Sequence, residues 1–589
     1  MQVAGSIFVG DYLGCSGRVD FGAPQRLAGA TCAPVGARIM AQDTAIMLVQ
    51  RVRAGGPTRV LQPAPGVYLL LYGPVTGPVT AQWARRVSDA LIDGRWAELA
   101  LVSDELAGCL VTPGRVYLFR SAADSMEGML YRRDDALLRW STDPTELLDE
   151  DADEFDRQAL WRCCRGDAVF IYHNLIPLLP GQLVIADANS TRTVQFDQIK
   201  PLDLPRRTPL PEYARLAHEL ILRAARPYVR CGRIGVMLSG GLDSITVLTA
   251  LAEAGADVVA YHQVCADAEL GEYPFARAAC DHLGVPLVPI ELDTGHGYLS
   301  QDWSFAHPYA HVGFRGMEQT AEQAQRDGLT FVTWGRDGDV VFGPVDYGVH
   351  TILDRDLPCR EKTALARGLV CSGWTLPDLA RSVRRSSSLL VHGLAIGDQA
   401  PPTDFLTPMP GIPDVQIDWN SDDYLVEEHA TNLAAWWPRG IQVCSPLGNR
   451  EIRRLVARMP PAYRMLPHRG RLITKPVLRL ILSTRMPSAV WRRYGRGWFE
   501  MPHKTYLLNH YQQVADLIGG RDSRLVGLNL VDPARLAAVL ANPVDRRRHA
   551  ITLICAAMVE LFLRSRSRLT NRPLSDHVKG IRHVPAALG

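Results

Sequence analysis

Lysine is nearly missing from this chain. Five occur, at positions 200, 362, 475, 504 and 579, although lysine and arginine together number 64 in 589 residues. Arginine therefore carries the generic positive charge. A lysine inside a motif then marks a place that calls for a compact ammonium rather than a planar guanidinium. Net charge is also small, at +2, which excludes a strong polyanion-binding field and a nucleic-acid role based on it. Among twelve cysteines there is no Cys-x-x-Cys pair, and Cys163 and Cys164 are adjacent, a poor spacing for one zinc ion. They read as thiols of a reducing cytosol. No apolar run reaches membrane-spanning length, and Met1-Gln2-Val3-Ala4-Gly5 has no charged segment ahead of an apolar one. A cytoplasmic chain without a membrane span is expected. The Gly-x-x-x-x-Gly-Lys spacing is absent too, which excludes a Walker A nucleotide loop.

What is present divides by region. A chain of 589 residues is too long for one core, so two or more domains are expected. Residues 1–200 are rich in short β-like runs, such as 66–73, 116–120 and 181–185, with one helix at 81–91. This pattern predicts a β-sandwich. Four prolines in 201–211 read as a linker. From 212 to 565 apolar strands alternate with helical segments, which predicts a doubly wound parallel sheet with many helices. Residues 386–423 are irregular, and 566–589 form a basic tail.

The densest chemistry lies in Ser239-Gly240-Gly241-Leu242-Asp243-Ser244, after the apolar run ending at Leu238 and before a helix stopped by Gly255. A glycine pair lets backbone approach a phosphate closely. The helix that follows aims free N–H groups and its positive end at the same place. Ser239 and Ser244 add hydroxyls. Asp243 would repel a bare phosphate, so a cation, Mg2+, is expected between them. A fourth strand of this region, 330–334, ends in Gly335-Arg336-Asp337-Gly338-Asp339. Ligands of such sheets sit at the carboxyl ends of strands, so Asp243 and Asp339 are candidates to share the metal. Further on come Ser445-Pro446-Leu447 and Lys475-Pro476, the latter opening a helix with proline in its first turn.

The loop resembles the pyrophosphate loop of ATP pyrophosphatases. Together with the glycine–aspartate loop, Ser-Pro-Leu and the Lys-Pro-x-x-Arg of 475–479, it resembles glutamine-dependent asparagine synthetase over roughly residues 205–500. Residues 1–200, with Leu179-Pro180-Gly181, are similar to that family's Ntn-hydrolase-like glutaminase domain. The resemblance implies an N-terminal Ntn-type β-sandwich and a C-terminal ATP pyrophosphatase domain. It implies ATP binding by Leu238, Ser239, Gly240, Gly241, Asp243, Ser244 and Gly335, Mg2+ held by Asp243 and Asp339, and Lys475 stabilising the acyl-adenylate transition state and the leaving pyrophosphate.

Three departures refine this expectation. The glutaminase nucleophile is a cysteine followed by glycine, whereas the comparable place here is Ala4-Gly5, and Cys15 and Cys32 lie within the chain. The first domain is therefore expected to be a degenerate glutaminase. Gly448-Asn449 replaces the aspartate after Ser-Pro-Leu, which weakens the expected ion pairing of that helix start. Arg336 stands where β-lactam synthetases carry tyrosine. A synthetase without an ammonia source takes its amine elsewhere, and an intramolecular amine gives a ring. The chain is thus most similar to lasso peptide cyclases, with a precursor peptide as substrate and a leader-peptide-binding protein and leader peptidase as partners. A β-lactam-type or other small-molecule amide ligase and an ammonia-dependent asparagine synthetase are the alternatives. The intact Asp243, Asp339 and Lys475 argue against a non-catalytic binding protein. His307, Tyr309, Arg336 and Glu272 are further polar candidates for the pocket.

Overall fold

A computed structural model describes residues 14–20, 45–51, 59–72, 80–101, 107–122, 129–134, 137–141, 155–166, 169–187, 189–205 and 208–264. It continues through 272–292, 314–343, 404–409, 439–460, 463–468, 471–493 and 501–569, with isolated positions besides. Ala4, Gly5, Cys32, His307, Tyr309, most of 386–423 and the tail from 570 lie outside the described residues.

The first eleven strands make two antiparallel sheets. One contains β1 (Gly14–Asp20), β2 (Ala45–Arg51), β7 (Met129–Asp134), β8 (Leu137–Ser141) and β9 (Ile176–Leu178), in the order β2-β1-β8-β7-β9. The other contains β3 (Arg59–Ala64), β4 (Val67–Tyr72), β5 (Ala107–Thr112), β6 (Arg115–Arg120), β10 (Gln182–Asp187) and β11 (Thr191–Gln195), in the order β11-β10-β6-β5-β4-β3. Side chains alternate across a strand, and the sequence uses both faces. Leu70, Val111, Leu118 and Val184 meet Met129, Leu138 and Trp140 of the facing sheet. Their neighbours Leu69, Leu71, Leu110, Phe119 and Leu183 pack outward on Ala84, Val87 and Leu91 of α1 (Ala81–Ile92). The sheets therefore stack as a sandwich with a helix on the outer face. Asp156 caps α2 (Arg157–Arg165), and Gly166 ends it in the left-handed region at φ 104°.

The stretch read as a linker is tied down. The Leu202 amide donates to Arg454 O, and the Arg458 guanidinium donates to Leu204 O at 2.9 Å. Helix α3 (Leu210–Ala225) already begins inside it, because Pro211 falls in the first turn, where a missing N–H is harmless.

A five-stranded parallel sheet follows, in the order β14-β13-β12-β15-β16: β12 (Ile234–Met237), β13 (Val258–Val264), β14 (Leu287–Glu291), β15 (Phe331–Trp334) and β16 (Gln442–Cys444). Its strands are apolar on both faces because helices cover both. Ile234, Val236, Val258 and Ala260 face a core shared by α3, α4 (Leu242–Ala254), α8 (Arg450–Arg458) and α9 (Pro476–Ser483). Val259, Tyr261, Val332 and Trp334 face the opposite core, which includes Ala321 and Ala324 of α6 (Phe314–Arg326). Two further helices, α5 (Tyr273–Leu283) and α7 (Gly338–Phe342), follow β13 and β15. The C-terminal helices α10 (Met501–Gly519) and α11 (Ala550–Leu569) join this second core, and α11 packs on α2 of the sandwich. Among the described residues no helix is long and apolar enough to cross a membrane.

Candidate active site

Topology sets the place. The parallel sheet runs from β12 outward to β13 and β14, then returns to the other side of β12 with β15 and β16. The connections after β12 and β15 leave in opposite directions, and a crevice opens between them at the carboxyl ends. Residues 239–244 follow β12 and residues 335–339 follow β15, so both motifs border this crevice. Gly335 is pressed onto the first turn of α4, where a Cβ would collide with the Ser244 amide nitrogen.

Inside the loop, Gly241 N donates to Ser239 Oγ at 3.1 Å, and Ser239 Oγ lies 3.1 Å from Ser244 Oγ. Ser244 Oγ in turn donates to Gly241 O at 3.2 Å. No side chain caps α4, whose N-cap is Gly241. Its first-turn N–H groups form the anion-ready end of a thirteen-residue helix. Leu238 is buried; its amide donates to Tyr261 O, and its carbonyl lies 2.7 Å from His262 Nδ1. A carbonyl only accepts, so Nδ1 carries the proton. Burial holds the His262 pKa below the usual histidine range.

Lys475 arrives from the far side of the chain, as the N-cap of α9. Its backbone is in the left-handed region, φ 53° and ψ 48°. The Lys475 amide donates to Arg464 O, and its carbonyl accepts from Arg479 N. An ammonium at a helix N-terminus opposes the helix dipole. Here two carboxylates compensate: Lys475 Nζ pairs with Asp243 Oδ2 and lies 2.6 Å from Asp339 Oδ1. Burial works against the charge, but the two aspartates outweigh it and hold the Lys475 pKa above the usual lysine range. The structure thus brings Asp243, Asp339 and Lys475 into one cluster, with Ser239, Gly240, Gly241, Ser244 and Gly335 beside it.

Asp243 and Asp339 supply the hard carboxylate oxygens that Mg2+ prefers. Among the described residues no group of three or more His, Cys, Asp or Glu is arranged for a metal. A pair of carboxylates is an incomplete protein shell. It suits an ion that keeps waters and takes its remaining ligands from substrate phosphates.

Sequence reasoning missed two ion pairs. Asp337, buried at φ 63°, pairs with Arg453 of α8 at 2.9 Å. Asn449 caps α8 by accepting from Glu451 N at 3.0 Å. The helix after Ser-Pro-Leu is therefore both capped and charge-paired, by residues other than the one the family pattern would use. The second pair joins Arg493 to Glu272 at the start of α5. Arg336 carries its guanidinium over the Trp334 ring at 5.4 Å, and its carbonyl accepts from Ser445 Oγ. In a chain this rich in arginine, nothing in spacing separates Arg453 or Arg493 from its neighbours.

Residues 220–564 match the sequence profile of the asparagine synthase family, more than half of the chain. The chain belongs to that family, whose general chemistry is ATP-dependent amide-bond formation with ATP and Mg2+. No curated protein matches the sequence. Two solved structures align in part. One is an allosteric regulatory enzyme of purine biosynthesis, 11% identical, over 42% of this chain and 59% of that one, with a TM-score of 0.19. The other is a glutamine phosphoribosylpyrophosphate amidotransferase from B. subtilis complexed with ADP and GMP, 10% identical, over 56% and 86%, with a TM-score of 0.20. At these scores neither likeness bears on the fold or the chemistry.

Proposed function

We propose that this chain is an AMP-forming amide ligase that closes a macrolactam in a lasso peptide precursor. The observation that carries the reading is the meeting of Lys475 with Asp243 and Asp339 at the ends of β12 and β15. The 239–244 loop and the α4 N-terminus receive the ATP phosphates. Asp243 and Asp339 hold Mg2+, which neutralises phosphate charge when bound. A side-chain carboxylate of an Asp or Glu in the precursor attacks the α-phosphorus, and pyrophosphate leaves. The peptide N-terminal amine then attacks the acyl adenylate, and AMP leaves with the new isopeptide bond formed. Both steps build negative charge on oxygen, and a buried ammonium facing that point lowers their barriers.

Support for ring closure comes from what the amine source is not. Ala4-Gly5 stands where a glutaminase needs its cysteine, and the N-terminal sandwich is read as a degenerate glutaminase retained as scaffold. Arg336 replaces the tyrosine of the β-lactam branch. The work would be done in the cytosol, with a leader-peptide-binding protein and a leader peptidase preparing the precursor. The test is mass spectrometry of a leaderless precursor incubated with ATP and Mg2+. A product lighter by one water is expected, with AMP and pyrophosphate formed in step. Formation of ADP refutes adenylation, and AMP formation without a ring refutes the macrolactam.

A further inference from the structure

The Arg493 side chain is only 7% exposed. Its Nη1 donates to Gly240 O at 2.5 Å, its Nη2 pairs with Glu272 Oε1, and its guanidinium lies over the Phe275 ring at 4.7 Å. The Arg493 backbone is fixed as well. Arg479 Nη1 donates to the carbonyls of Trp491 and Arg493 at 2.6 and 2.9 Å, and Arg479 Nε donates to Thr474 O at 2.8 Å. Thr474 precedes Lys475. One arginine therefore braces both the Lys475 backbone and the arm that reaches the loop.

The contact at Gly240 has a directional consequence. The Gly240 carbonyl and the Gly241 N–H belong to one planar trans peptide, so they point in opposite directions. This peptide turns about ψ of Gly240 and φ of Gly241, and both residues are glycine, so it passes between orientations with little steric resistance. A donor held on the carbonyl selects one orientation. It sends the Gly241 N–H toward Ser239 Oγ and away from Arg493. The flipped peptide would present a carbonyl oxygen to an incoming phosphate. Glu272 neutralises Arg493, so the guanidinium acts by geometry rather than by attracting the anion.

We infer that Arg493, backed by Glu272, is a positioning residue that fixes the Gly240–Gly241 peptide, and with it the 239–244 loop, in the orientation that receives the β- and γ-phosphates of the nucleotide. This rests on the ATP-dependent reading above, and the experiment separates the two. Titration calorimetry in Mg2+ would measure ATP, inorganic pyrophosphate and AMP binding to the full chain and to Arg493→Ala, Arg493→Lys and Glu272→Gln. Wild type that binds none of the three defeats the ATP reading itself. With wild type binding, Arg493→Ala is expected to weaken ATP and pyrophosphate by at least about tenfold, the loss of one charge-assisted hydrogen bond, and to leave AMP within about twofold. Added guanidinium should restore much of the pyrophosphate affinity, and Arg493→Lys should lose less than alanine. Equal affinities in wild type and Arg493→Ala overturn the inference. So does an equal loss for AMP and pyrophosphate, which marks a general packing defect. If Arg493→Ala does not fold, Glu272→Gln decides on the same ATP-against-AMP criterion.

Discussion

Lys475→Met replaces the ammonium between Asp243 and Asp339 with an apolar chain of similar length. In the free enzyme that ammonium sits where a divalent ion would have to approach the same two carboxylates. Its repulsion of a metal can be worked out. A charge of +2 about 4 Å from a charge of +1 is opposed by about 2 kcal/mol at the dielectric of water and about 8 kcal/mol at an effective dielectric of 20. The Asp339 side chain is 41% exposed, so solvent screens this site and the lower figure is the better guide. About 2 kcal/mol corresponds to roughly 30-fold in a dissociation constant. Mn2+ titrated without nucleotide, followed by electron paramagnetic resonance, should therefore bind Lys475→Met at least about 30-fold more tightly than wild type. Thermal unfolding offers a second readout: the variant, left with two facing carboxylates, should unfold at lower temperature and recover more than wild type when Mg2+ is added. Adding Asp243→Asn to the variant should abolish the gain. Equal Mn2+ affinity in wild type and Lys475→Met would refute the claim that ammonium and metal contend for this pair.

Two further outcomes follow from the same geometry. Asp243→Asn and Asp339→Asn should each lower turnover by about 10²- to 10³-fold, as for loss of one electrostatic stabiliser, with Asp243 the more severe because it is the more buried; steady-state rates at limiting Mg2+ check this, and near-normal rates in either variant remove that residue as a ligand. His262 is held below the ordinary value of 6.5 chiefly by burial. The unfolded chain then binds its proton first as pH falls, so stability is intact above about 6.5 and declines below it toward the folded pKa. Urea midpoints measured down to pH 5 should fall more steeply for wild type than for His262→Gln, and parallel curves would contradict the assignment.

Much of the synthetase half could be read directly. Its strands are short apolar runs, and helices end at Gly255 and Gly284, both in the left-handed region as C-caps require. Pro476 opens α9 as its position in the motif implies. The 239–244 loop is local in sequence, so its glycines, serines and first-turn aspartate announce themselves together. The Lys475 position stood out because lysine is rare here. What could not be read are contacts between distant residues of common type. Arg493 and Glu272 are 221 positions apart, Arg453 and Asp337 are 116 apart, and neither arginine differs in composition from those around it. The contacts of the proline-rich 201–211 stretch are hidden for a related reason: its attachment to α8 uses backbone carbonyls and amides, which every residue has.

Backbone strain gives an independent account of why the cluster sits where it does. Among the described residues, three non-glycine positions have positive φ: Asp337, Lys475 and Asn529. Two of the three belong to the loops that meet at the switch point of the sheet. A left-handed backbone at a residue with a Cβ costs on the order of 1–3 kcal/mol, and glycine would remove that cost. Glycine is common in this chain, so its avoidance at these positions needs a reason in the side chain. Asp337 uses its carboxylate to hold Arg453, which ties the 335–339 loop to α8. Lys475 turns sharply from the Arg464 carbonyl into α9, and that turn is what delivers Nζ to Asp243 and Asp339. In both cases the strained backbone and the buried charge are one device: the turn aims the side chain, and the ion pair keeps the turn from relaxing. Lys475→Gly would relieve the backbone but leave two carboxylates facing each other with no cation between them. The ion-pair cluster therefore requires the residue type that the local conformation disfavours.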